Sequence, residues 1–474
     1  MAAKPQPHFL FITYPFQGHI NPALHLAKHL AATTCAAVTF STTVFAHRSM
    51  FSSTPNSDKH FNDGLITYLP FSDGFDEEGY KRGSMDTKEF LSVFRTNTKS
   101  SVSILINDLA ASGRPVTCLV AVFFPWMVDI ASQLGVPSVF YWIQAATVFA
   151  TYYHFFHGYE SLIKEHANEP SFTVCLPGLL PLQIKDLPSF LTITDDDSDS
   201  YFGFILELMR DMFEILDREQ ARMKPRVLIN TFQEWEVDAI ASVSTEIETV
   251  PVGHLTQVVY TNSGAGYLFN ENENKYMEWL ETKENGSVVY ISFGSISFMK
   301  KKQIEEMVIA LEESKRPYLW VVRKDNREEA GEIGGGEDGN GNRMVVEWCS
   351  QVRVLAHKAI GCFVTHCGWN STLESLACGV PMVCLPQWSD QAMNAKLVDS
   401  VWGCGVRSEV DGDGDGVVRG EELVRCLNLV MGDGEKGVEI RRKANLWKDK
   451  ALEAVSEGGS SDLNLMAFVQ KISH

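Results

Sequence analysis

No stretch of eighteen consecutive apolar residues occurs in this sequence, so no segment has the length and composition of a membrane-crossing helix. The opening residues, MAAKPQPHFLFITYPFQGH, lack the basic segment, long apolar stretch and small-residue cleavage site of a secretory leader, and a cytoplasmic protein is expected. Ten cysteines are scattered along the chain with no CxxC pair and no Cys/His cluster at zinc spacing, which argues against a disulfide framework and against a structural metal. Basic residues are outnumbered, 41 Lys and Arg against 60 Asp and Glu, and no basic stripe offsets the net charge of −19, so nucleic acid and anionic membranes make poor partners. A G-x-x-x-x-G-K-[ST] loop is missing too, which removes the anchor for a kinase or ATPase. With no coiled-coil pattern visible, a monomer is expected.

What remains is an ordinary globular composition, 45% hydrophobic and 21% charged, in 474 residues, more than a single core usually organises. Apolar runs alternate with helical patterns from the start: HFLFITYP, then INPALHLAKHLAA with Ile20, Ala23, Leu24, Ala27 and Leu30 on one face, then AAVTFST. Further strand candidates are LITYLP, TCLVAVFF, PSVFYWI and RVLINTF. After a polar stretch around 261–274 the alternation restarts with SVVYISFGS, PYLWVVR, AIGCFVTH and PMVCLP. The fold class expected is α/β, with two Rossmann-like domains of parallel sheet over 1–250 and 251–455 and a terminal helix over 456–474 that can pack back on the first. Two such domains imply a cleft with ligands beyond the strands' C-terminal ends. Three polar stretches, 194–200, 325–342 and 411–416, read as surface loops.

The densest chemistry lies between Trp348 and Gln391, in WCSQVRVLAHKAIGCFVTHCGWNSTLESLACGVPMVCLPQWSDQ. The strand IGCFVTH ends at His366, Cys367–Gly368–Trp369 turns, and Asn370 or Ser371 can cap the helix that follows, a start suited to an anion. A plainer alternative makes Ser371 and Glu374 a capping box and His366 a turn residue. The whole segment, with YPFQGHINPALHLA at the start and YISFGS before it, resembles the donor-binding box of plant secondary-product glycosyltransferases. That resemblance implies a GT-B pair of domains using UDP-glucose as co-substrate, with no other cofactor and no metal. It implies that Trp348 stacks on the uracil, that Cys349 belongs to the donor site, that Gln351 and Glu374 hold the ribose, that Ser295, His366, Asn370 and Ser371 bind the diphosphate, and that Trp369, Asp390 and Gln391 hold the sugar. A final Gln in the box resembles glucose users rather than galactose users. YPFQGHINPAL and YWIQAATVFATYYH are similar to the branch with anthocyanidin 5-O-glucosyltransferases and the enzymes that esterify carotenoid acids or hormones.

By the same resemblance His19, in PFQGHINP, is the base that takes the acceptor's proton, and an imidazole near its ordinary pKa is expected. The family's usual Asp partner would stand four residues before the Pro125–Trp126 pair, where CLVAVFFPW has Ala121. Without a carboxylate the imidazole loses help with its tautomer and its charged form, which directs attention to acceptors that are already acidic. The acceptor, a small lipophilic flavonoid, terpenoid, apocarotenoid acid or hormone, is expected against Phe16, Phe123, Phe124, Gln144, Thr147, Leu187 and Phe190.

Two motifs are set aside. Asp411 to Glu422 fits the calcium-loop pattern, yet the preceding VWGCGVRSEV is a poor incoming helix and there is no second copy. Gly334, Gly336 and Gly339 fit G-x-G-x-x-G inside a polar run that neither follows a strand nor opens a helix, so the dehydrogenase alternative has no fingerprint. A catalytically weak UDP-sugar-binding protein is the remaining rival, with Ala121 as its argument.

Overall fold

Residues 8–13, HFLFIT, are buried at every position, as a strand covered on both faces must be. The computed structural model describes all residues except 1–5, 53–59, 80–84, 194–200, 222, 254–272, 295–298, 324–335, 338–340, 411–415 and 473–474. The chain divides into two compact units, residues 1–254 with 454–474, and residues 255–453.

The first unit carries β1 (His8–Thr13), β2 (Ala37–Ser41), β3 (Phe61–Asn62), β4 (Thr67–Tyr68), β5 (Cys118–Val122) and β6 (Ser138–Trp142). A two-stranded ribbon of β7 (Thr173–Val174) and β8 (Leu182–Gln183) follows, then β9 (Arg226–Ile229) and β10 (Glu248–Pro251). The main sheet has the order β10-β9-β6-β5-β1-β2-β4-β3, with β1 paired in parallel to β2 and β5. Its far edge departs from the parallel expectation: β3 and β4 are antiparallel. The turn between them is too short for a crossover and is closed by Asp63, whose Oδ1 accepts from the Leu65 and Ile66 amides at 3.0 and 2.9 Å.

The second unit has β11 (Val288–Ser292), β12 (Tyr318–Val321), β13 (Gly336–Glu337), β14 (Arg343–Val346), β15 (Ile360–Thr365), β16 (Met382–Cys384) and β17 (Gly405–Arg407). They run in the order β13-β14-β12-β11-β15-β16-β17, parallel except for β13 against β14. Strand β17, rather than a helix, precedes the acidic run at 411–415, which itself lies outside the described residues with Gly334, Gly339 and the 194–200 stretch.

The last helix, Ser460–Ile472, belongs to the first unit. Asn464 Nδ2 donates to the Pro251 carbonyl at 3.0 Å, Lys471 pairs with Glu248 at 2.8 Å, and the Phe468 ring lies 5.9 Å from that of Phe9. Among the described residues no helix is long and apolar enough to cross a membrane.

Candidate active site

In the first unit the residues after three adjacent strands carry the chemistry expected at the carboxyl ends of a parallel sheet. Beyond β1 the chain enters the Gln17–Thr33 helix, whose N-cap is Phe16, and His19 sits in its first turn. Beyond β5 comes Phe123, and beyond β6 comes Gln144. The His19 imidazole is stacked on the Phe123 ring at 4.8 Å and 29°, met edge-on by Tyr14 at 5.6 Å, and flanked by Phe16 at 6.1 Å. Its Nδ1 is buried and has no hydrogen-bond partner. Ala121, wholly buried in β5 and in register with Ile12 of β1, offers nothing polar.

Desolvation among these rings pushes the His19 pKa down to about 4, which corrects the expectation of an ordinary value. The ring is neutral at cellular pH and a weaker base than a free histidine.

The acceptor candidates separate. Phe16 is 36% exposed, Phe123 and Gln144 are partly exposed, and the Gln144 side-chain carbonyl oxygen has no hydrogen-bond partner. Phe124, by contrast, is wholly buried among Tyr14, Phe71, Phe94 and Trp126. Leu187 and Phe190 are buried as well. Thr147 is committed elsewhere, since its amide and hydroxyl both donate to Glu236 Oε1 at 2.8 Å. Glu236 Oε2 accepts from the Ala146 amide at 2.8 Å and the Thr231 hydroxyl at 2.6 Å, so one buried carboxylate caps the Ala146–His154 helix from 90 residues away.

In the second unit, β15 ends at Thr365 and the chain passes through His366 and Cys367, the latter at φ +64°, into the Trp369–Cys378 helix. The N-cap is Gly368, with no side-chain cap. The capping-box alternative therefore fails, because Ser371 and Glu374 face Gln351 instead. Gln351 Nε2 donates to Ser371 Oγ at 2.9 Å and to Glu374 Oε2 at 2.8 Å, while Tyr290 of β11 donates to Gln351 Oε1 at 3.3 Å. Burial raises the Glu374 pKa to about 7, with the Gln351 hydrogen bond pulling the other way.

The His366 ring lies between two glycines: a Cβ on Gly294 would come within 2.7 Å of its Nε2, and one on Gly368 within 2.5 Å. Desolvation pushes its pKa down to about 4, which leaves a neutral ring. Asp390 and Gln391 are buried at the start of the Gln391–Lys396 helix. Asn394 Nδ2 donates to Asp390 Oδ2 at 2.8 Å and to the Cys367 carbonyl at 2.9 Å, tying that helix start to the His366 turn. Gln391 Oε1 accepts from the Gln387 and Trp388 amides at 2.9 and 3.2 Å.

Trp348 is partly exposed and Asn370 lies in the first turn of the Trp369 helix. The Cys349 side chain is buried against the Tyr290 hydroxyl at 3.3 Å, and the Trp369 indole is buried 6.1 Å from Trp402, so neither side chain is displayed to a ligand. Ser295 lies outside the described residues.

The family described as UDP-glucoronosyl and UDP-glucosyl transferase matches residues 172–455. Crocetin glucosyltransferase, chloroplastic, of Gardenia jasminoides is 42% identical over 98% of this chain and 97% of its own length. Phloretin 4'-O-glucosyltransferase of Malus domestica is also 42% identical, over 98% of each chain. The chain belongs to the UDP-glycosyltransferase family. The crystal structure of Os79 from O. sativa in complex with UDP superposes with a TM-score of 0.81 at 28% identity, over 98% of this chain and 100% of that one.

As a UDP-glycosyltransferase of the GT-B class the chain is an enzyme with a UDP-sugar donor, and the reading as a mere sugar-binding protein falls. Sequence reasoning passed over three residues that meet the candidate site, Tyr290, Gly294 and Asn394, and read Gly368 only as part of a turn. Gly294 and Gly368 flank a histidine, and Asn394 stands four residues beyond Asp390, but no spacing rule reveals which atoms they meet.

Proposed function

We propose that the enzyme transfers glucose from UDP-glucose, with inversion, to an acidic oxygen of a small lipophilic metabolite. The donor half of this reading is carried by the Gln351–Ser371–Glu374 cluster beside a helix start with no side-chain cap. A carboxylate and an amide oriented on each other suit a ribose diol, and a helix N-terminus with neutral donors from His366, Asn370, Ser371 and Ser295 suits a diphosphate without calling for a metal. Trp348 stacks on the uracil, the Cys349 backbone meets its edge, and Asp390, Gln391 and the Trp369 backbone hold the glucose.

On the acceptor side, Phe16, Phe123 and Gln144 line the approach to His19. The acceptor oxygen attacks the anomeric carbon, the bond from that carbon to the diphosphate oxygen breaks, its electron pair leaves with UDP, and any proton on the acceptor passes to His19. The unpartnered His19 Nδ1 and the buried Ala121 support an acceptor that arrives ionised or nearly so, a carboxylate or an acidic phenol, because nothing among the described residues supports a strongly basic imidazole. The enzyme works as a monomer in the cytoplasm on this reading.

The test is product analysis by mass after incubation with UDP-glucose, UDP-galactose and UDP-glucuronate and a panel of carboxylic acids, phenols and alcohols. Preferential glucosylation of acids and acidic phenols is expected, and installing Ala121→Asp should raise turnover of alcohols more than that of carboxylates. Efficient transfer to simple alcohols by the unaltered enzyme overturns the acidic-acceptor assignment.

A further inference from the structure

Phe123 occupies a backbone conformation that phenylalanine avoids. Its φ is +67°, in the left-handed region where a Cβ crowds the backbone and where glycine or asparagine is the usual occupant. The neighbours explain why a residue here must turn so sharply. Strand β5 is wholly buried through Val122, and Phe124, at φ −125° and ψ 83°, is locked into the aromatic core. Pro125 then opens the next helix with its ring-fixed φ. None of this explains why the residue is a phenylalanine. Its ring is partly exposed, so burial is a weak reason, and a glycine would make the same turn without strain.

What the ring does is lie on His19. The two planes are stacked at 4.8 Å and 29°, with Tyr14 at the imidazole's edge at 5.6 Å. The imidazole has no hydrogen bond at Nδ1 to fix its orientation, and the position from which the family's carboxylate would reach it holds Ala121. Backbone strain of this kind persists where the surroundings and the function hold it in place.

We infer that Phe123 is a positioning residue for the transfer reaction: its strained backbone places an aromatic face on His19 and orients the imidazole in place of the missing carboxylate. The inference rests on His19 being the base. Stacking fixes the plane of the ring, and the electron-rich face tolerates the proton His19 receives, but it supplies neither a tautomer-selecting acceptor nor a full counter-charge. Orientation is thus kept while basicity is given up.

The test compares His19→Ala, Phe123→Gly, Phe123→Tyr and the double variant Ala121→Asp/Phe123→Gly, reading kcat at saturating acceptor, both KM values and the thermal midpoint. Phe123→Gly relieves the strained φ, so its thermal midpoint is expected to hold or rise while kcat falls about tenfold to a hundredfold at unchanged donor KM. Phe123→Tyr keeps the stacked face and is expected to restore most of kcat, and the double variant to recover part of it, since a carboxylate can then do the orienting. An inactive His19→Ala beside a Phe123→Gly enzyme with the original kcat overturns the inference, as does a Phe123→Gly loss confined to acceptor KM. Full activity in His19→Ala overturns instead the reading of His19 as the base.

Discussion

Gly368 has φ −56° and ψ 142°, a conformation open to any residue, yet a methyl group there would press within 2.5 Å of the His366 ring. The conflict is with one side chain rather than with the backbone, which makes it separable by a mutant cycle. Gly368→Ala is expected to weaken UDP binding by about tenfold, close to the loss in His366→Ala, and the double variant to lose no more than His366→Ala alone, as measured by calorimetry. Glu374 yields a second expectation. Its carboxyl is held near a pKa of about 7, and in the proposed donor site the ionised form is the one suited to accept two ribose hydroxyls. Donor KM should therefore rise severalfold as pH falls from about 8 to 6, through that value, and the Glu374→Gln enzyme should show a flat profile. A donor-binding role could be proposed for the box residues from the sequence, because their motif resembles the family's and their types suit the pieces of a nucleotide sugar. The grip of two glycines on a histidine could not, since Gly294 and His366 are 72 positions apart and meet only when β11 and β15 pair. Phe123 was named as an acceptor candidate, but its left-handed backbone was hidden, because phenylalanine is among the residues least associated with such a turn.

At the level of elements, the long apolar strands were legible because both faces of a parallel sheet are covered and the runs read as continuous Val, Ile and Phe. Strands β10, β14 and β17 were not, being three or four residues long and mixed with Glu, Thr, Arg, Gly or Pro. Helix starts misled for a different reason. Ser371 and Glu374 carry a sound local capping pattern, but Gln351 from another element competes for both side chains and wins. The Ala146–His154 helix shows the converse: it begins with alanine and looks uncapped in sequence, and Glu236 caps it from the segment after β9, the strand beside β6. That carboxylate accepts four hydrogen bonds in a buried setting, so Glu236→Ala should destabilise the protein by about 2–4 kcal/mol, leaving two helix amides and two hydroxyls unmet. Denaturant unfolding measures this directly; a cost below about 1 kcal/mol would show that water takes over the cap.

For the molecule as a whole, protonation is the most general stress the first unit meets, since burial holds both His19 and His25 down to about 4. In the unfolded chain each titrates near its ordinary 6.5, so the unfolded state takes up protons first as the pH drops. The stability gained by keeping these rings neutral is complete above about 6.5 and is lost progressively toward 4. His25→Gln should shrink the fall in thermal midpoint between those two pH values; an identical fall in the variant would remove His25 as a contributor. The return of the Ser460–Ile472 helix to the first unit has a consequence of another kind. On the ribosome, β10 is made before the entire second unit, and the helix whose Asn464 fastens to Pro251 emerges only after it. At 5–20 residues per second that interval is roughly 10–40 s, so the nascent first half waits with one of its surfaces uncovered until the whole second unit has been made, and depends over that time on whatever shields such surfaces in the cell.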